Sequence, residues 1–134
     1  MRVFLDTNVL VSALMGRGFC RDLLDSLILE HQVLLGAPVH RELNRILVEK
    51  FRVPDDLLSR LNEELALLEL VPESDEQPQG IPDPDDIAII ACALSGTCDC
   101  LVTGDKALLA LDIVKSLPIL SPRQCWDRAH RRTV

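Results

Sequence analysis

An α/β fold with a central parallel β-sheet flanked by helices, an α/β/α sandwich, follows from three features of these 134 residues. Short apolar runs alternate with stretches of helical periodicity, the order that builds a parallel sheet. The runs are apolar throughout rather than at every second position, as in strands covered on both faces. Polar, aspartate-bearing turns follow two of them, as strand-to-helix junctions require.

The first run, Val3-Phe4-Leu5, ends at Asp6-Thr7-Asn8 and reads as a buried strand entering a helix over Val9 to Leu14. Gly16 and Gly18 punctuate the chain before Leu23, Leu24, Leu27 and Ile28 recur at helical spacing, and Val33 to Gly36 forms the second strand. Pro38 suits the first turn of a helix with Val39, Leu43, Ile46 and Leu47 on one face. Pro54 opens another, carrying Leu57, Leu58, Leu61, Leu65 and Leu68, and the pair reads as a hairpin-like insertion. Residues 72–86 hold four prolines, one glycine and six acids without a basic residue, a solvated loop leading to a helix start at Asp83-Pro84. From Ile87 to Leu94 that helix is apolar nearly all round, so it packs on two sides. Cys100-Leu101-Val102 then repeats the strand-and-turn pattern, with Thr103-Gly104-Asp105 leading to a helix bearing Leu108, Leu109 and Leu111. Leu117 to Leu120 is the last strand, and Ser121-Pro122 caps a terminal helix reaching Ala129.

With 48% hydrophobic and 26% charged residues, the chain suits one domain over residues 1–134 whose core needs no disulfide or structural metal. Five cysteines, an odd number without a CxxC pair, read as reduced and buried thiols. No apolar run approaches the ~20 residues of a membrane span, and Asp6 interrupts the first hydrophobics, so a cytoplasmic protein without membrane contact is expected. A net charge of -7 opposes broad electrostatic binding of nucleic acid, so any grip on a polyanion must be local. Three Phe, one Trp and no Tyr leave too few aromatics for a base-stacking platform.

Function in an open parallel sheet collects beyond the carboxyl ends of the strands, and acids fall there. Asp6 closes the first strand, Asp105 lies three residues past Val102, and Asp83, Asp85 and Asp86 begin the helix before that strand. Glu42 lies about 40° from Ile46 around its helix, at the edge of the apolar face, while Arg41 and Asn44 point away. Taken singly, Asp6, Asp83 and Asp105 have a structural explanation as turn or cap residues, and Asp86 as a favourable first-turn charge. Taken together, carboxylates sharing one crevice need cations to neutralise them, and an all-oxygen donor set selects Mg²⁺ or Mn²⁺.

These pieces, Val3 to Leu10, Glu42 after Pro38, Asp83-Pro84-Asp85-Asp86 running into Ile87 to Leu94, and Leu101 to Asp105, together resemble the PIN domain family. The resemblance covers nearly the whole chain and is greatest to the bacterial PIN-type toxins of toxin–antitoxin pairs, the VapC kind. It implies a metal-dependent ribonuclease whose four acids match Asp6, Glu42, Asp86 and Asp105, with Asp85 and Asp83 as alternatives for the third. Thr7, Asn8 and Thr103 match supporting polar residues of the same motifs. The implied reaction is in-line attack of an activated water on an RNA phosphodiester with one or two ions. Asp6, Asp86 and Asp105 hold metal in that scheme, and Glu42 binds metal or orients the water. Arg41, Arg45 and Lys106 adjoin these acids and are candidate phosphate contacts, and Arg17 joins them if its glycine-flanked loop folds over the crevice. The family further implies a homodimer and a cognate antitoxin covering the crevice.

Two rivals stand beside this reading. An aspartyl-phosphate protein is disfavoured because Asn8 stands where a phosphatase of that type has a second Asp, and a receiver would place acids before its acceptor strand and its Lys on a later one. A non-catalytic module of the same fold, its acids serving as caps, remains the alternative of a different class.

Overall fold

Each apolar run becomes a strand because only a sheet covered on both faces hides its side chains completely. Val3, Phe4 and Leu5 have no accessible surface, nor do Leu101 and Val102. The computed structural model describes residues 1–131; residues 132–134, the end of the expected domain, lie outside the described residues. In chain order the elements are β1 (Arg2–Leu5), α1 (Thr7–Met15), α2 (Phe19–Glu30), β2 (Gln32–Gly36), α3 (Ala37–Arg45), α4 (Asp55–Leu65), β3 (Glu69–Val71), α5 (Pro84–Ser95), β4 (Cys100–Val102), α6 (Lys106–Leu109), β5 (Ile113–Val114), β6 (Leu117–Leu120) and α7 (Pro122–Ala129). A wider π turn, Ile46–Lys50, extends α3.

The six strands lie in the order β3-β2-β1-β4-β6-β5, parallel except for β5. The chain winds outward from β1 to β2 and β3, then returns to place β4 on the other side of β1. That reversal is a topological switch point, where loops from neighbouring strands diverge and leave a crevice.

Three expectations are corrected. The helices α3 and α4 are not an insertion: they form the crossover from β2 to a strand the periodicity concealed, β3, which pairs with β2 in parallel through Leu34↔Glu69 and Gly36↔Val71. Leu68 belongs to the turn after α4, its N–H bonded to the Leu65 carbonyl, rather than to the helix. The sheet is also not wholly parallel, because β5 returns antiparallel to β6 through Lys115 and Ser116, both at positive φ (47° and 69°). A two-residue turn of that handedness matches the twist of the strands it joins.

One core unites the sheet with its helices: Leu10 and Leu24, Leu34, Leu43, Ile90 and Leu108 are all buried within it. Each such side chain contributes roughly 1.5–3 kcal/mol relative to exposure. All five cysteines are free; Cys92, Cys100 and Cys125 are buried, whereas Cys20 and Cys98 are only half-buried. Among the described residues no helix is long and apolar enough to cross a membrane.

Candidate active site

Parallel pairing of β1 with β4, Leu5 opposite Val102, places Asp6 and Thr103 side by side just past the strand ends. The Asp6 N–H bonds to the Val102 carbonyl at 2.9 Å and continues the ladder by one residue. Thr103, fully buried, donates its hydroxyl to Asp6 Oδ2 at 2.7 Å and accepts from the Asp105 N–H at 3.0 Å. One hydroxyl thus ties the loop after β4 to the carboxylate after β1.

The other Asp6 oxygen, Oδ1, accepts from the Thr7 N–H at 2.8 Å, capping α1. Thr7, also buried, donates its hydroxyl to Glu42 Oε2 at 3.3 Å and brings α3 to the same crevice. Asp105 caps α6 with Oδ1 alone, accepting from Ala107 and Leu108 at 2.8 and 3.3 Å. Among the described residues its Oδ2 has no hydrogen-bond partner. Capping and site roles therefore do not compete, since each cap leaves lone pairs on the carboxylate.

The three acids at the start of α5 are separated by geometry. Asp83 is exposed and caps the helix, accepting from the Asp85 N–H at 2.9 Å. Asp85 is exposed on the side facing α3. Asp86 is half-buried and shares an electrostatic field with the strand-end acids: burial first, then Asp83, Asp105, Asp6 and Asp85, push its carboxyl up to about 6. Burial likewise raises Asp6, against the hydrogen bonds from Thr103 and Thr7, and Glu42 and Asp105 raise it further.

Like charges that raise one another's carboxyls store repulsion that a hard cation relieves. Among the described residues no three His, Cys, Asp or Glu side chains converge into a ready metal cage. The donor chemistry nevertheless fits Mg²⁺ or Mn²⁺, oxygen-only and with few carboxylates, since Mg²⁺ keeps several waters when bound. The raised Asp6 and Asp86 are the uncompensated charge on which that fit rests.

The remaining candidates spread around this cluster. Asn8 is exposed on α1. Arg17, Arg45 and Lys106 are exposed and, among the described residues, form no ion pair, whereas Arg41 pairs with Glu73. Arg21 is held by Asp25 of its own helix and Glu64 of α4. Asn44 does not point away: it accepts from Asn62 of α4 at 3.3 Å. Arg41, Glu42 and Arg45 line one wall of a groove of about 490 Å³, which Glu73, Asp85 and Ile89 also line. Glu73 was invisible to sequence reasoning because its partner lies 32 residues away and its loop carries no periodic signal.

A family model described as PIN domain matches residues 2–107. No curated protein matches the sequence. Among solved structures, a chain of VapBC2 from Rickettsia felis, in a complex bound to a DNA fragment from their promoter, superimposes with a TM-score of 0.68 at 21% identity, over 90% of this chain and 98% of that one.

Proposed function

The chain belongs to the PIN domain family, and from that premise we propose that it is a Mg²⁺- or Mn²⁺-dependent endoribonuclease, the toxin of a toxin–antitoxin pair, acting as one domain. The observation that carries the reading is the shared field of Asp6, Glu42, Asp86 and Asp105 at the switch point between β1 and β4. Burial and the acids that face them raise Asp6 and Asp86, a cost to a protein that does not use them.

Asp6, Asp86 and Asp105 would hold one or two ions, and Glu42 would hold metal or orient the attacking water. When bound, the ion supplies Lewis-acid chemistry, acidifying a water and offsetting charge that builds on the phosphodiester oxygens. Thr103 fixes the direction of Asp6 Oδ2 through its hydroxyl, and Thr7 does the same for Glu42. Asp105 keeps one oxygen turned away from its cap. Arg41, Arg45, Lys106 and Arg17 supply local positive charge for phosphates on a chain that is otherwise acidic.

The fold it shares with a VapBC2 chain supports a cognate antitoxin as partner, with a cationic side chain entering the carboxylates, and a homodimer is expected with it. The test is cleavage of end-labelled tRNA and unstructured RNA by partner-free protein in Mn²⁺, Mg²⁺ or EDTA, beside Asp6→Asn. Metal-dependent cutting lost in the variant supports the nuclease. Equal activity, or equal inactivity, of the two proteins replaces it with the interaction module.

A further inference from the structure

The groove between α3 and α5 contains an ion pair whose acidic partner, Glu73, the endoribonuclease reading does not use. Arg41 precedes Glu42 on α3, and its guanidinium Nη2 contacts Glu73 Oε1 across the groove. Arg45, one turn further along the same helix, lines the groove without an ion-pair partner among the described residues. Glu73 comes two residues after β3 and is placed rather than free. Pro72 restricts the preceding backbone, and the carbonyls of Val71 and Pro72 accept from the buried Cys92 thiol of α5 at 3.5 and 3.3 Å.

Resting on that reading, we propose that Glu73 is an internal stand-in for an RNA phosphate, a gate that occupies Arg41 until a strand entering the groove beside Glu42 takes its place. A guanidinium fork receives carboxylate and phosphate oxygens in the same geometry, so the two compete for one donor set. The side chains of Arg41 and Glu73 are 62% and 56% exposed, so the exchange takes place in water and its cost is small. A ligand long enough to reach Arg45 as well is favoured over a single phosphate, which makes Glu73 a determinant of selectivity for a strand rather than a mononucleotide.

A double-mutant cycle tests this. In the Asp6→Asn background with Mg²⁺, binding of a short fluorescent polyuridine oligonucleotide is measured for Glu73→Gln, Arg41→Gln and both together, with thermal melts verifying the fold. Glu73→Gln is expected to tighten binding about three- to fivefold, the scale of an exposed ion pair, and to have no effect once Arg41 is gone. Weaker binding by Glu73→Gln overturns the gate and makes Glu73 a support for Arg41. Equal tightening in the Arg41→Gln background also overturns it, because the effect is then one of net charge. Binding by the parent that ignores Glu73 removes the gate and leaves the nuclease; no binding by any variant removes both.

Discussion

Two threonine hydroxyls do the arranging at the proposed centre, and their loss has a defined cost. Thr103→Val keeps the shape but strips Asp6 of one donor and leaves the Asp105 N–H without its acceptor. A loss of about 1–3 kcal/mol is expected, with Thr103→Ser close to wild type, both read from urea denaturation. The acids of α5 give the complementary test. Asp86 is half-buried and its carboxyl is raised by its surroundings, so Asp86→Asn removes repulsion and should raise the melting temperature of metal-free protein at neutral pH while abolishing the rise on adding Mn²⁺. Asp85→Asn, at an exposed position, should leave both unchanged; the reverse pattern would make Asp85 the third acid. Sequence could not separate these neighbours because the helix that follows is apolar on every side and supplies no face to count from. What separates them is tertiary: how deeply each carboxylate sits and which others face it.

Strands and helices that bury a continuous apolar stretch announced themselves, and those that do not were hidden. Val3-Phe4-Leu5, Val33 to Gly36 and Cys100 to Val102 lie in the covered middle of the sheet and could be read directly. β3 is an edge strand of three residues, with Leu70 60% exposed, and it follows a leucine-rich helix whose spacing runs on into Leu68. β5 has two residues, too few for any period. The junction of β2 with α3 matters most to the site because it aims Glu42. A Cβ at Gly36 would lie 2.5 Å from Phe4 Cζ and 3.0 Å from Cys92 Sγ, so the strand and α5 close on this position only without a side chain. Gly36→Ala should therefore cost about 1–3 kcal/mol in chemical denaturation through overpacking. It should also weaken the Mn²⁺-linked rise in melting temperature, since the junction that starts α3 must shift away from Phe4 and Cys92. A stable variant with an undiminished metal response would show that the junction has slack.

The switch point between β1 and β4 gathers acids that lie up to 99 residues apart in sequence into one field, and the whole fold bears the repulsion. Their types and order could be read from the chain, but the depth of each could not, because burial depends on how the sheet closes. That depth fixes the sign of the pH dependence. Asp86 rises from the ordinary 3.8 to about 6 on folding, so between those values the folded chain holds a proton that the unfolded chain has released. Stability from this group therefore falls as pH rises through that window and levels off above it. Asp6, also raised, adds to the same slope, whereas Glu69, lowered chiefly by its hydrogen bond from Arg2, contributes in the opposite sense near its own ordinary value. Subtracting the Asp86→Asn curve from that of the parent isolates the Asp86 part. Measured by urea unfolding from about pH 4 to 8 in EDTA, the difference should grow to a plateau above about 6. With saturating Mg²⁺ it should reverse sign, because the charge that destabilises the metal-free fold is the charge proposed to hold the cation. A difference curve flat in EDTA and unmoved by Mg²⁺ would mean that the acids at the switch point do not share a field, and the proposed centre would lose its physical basis.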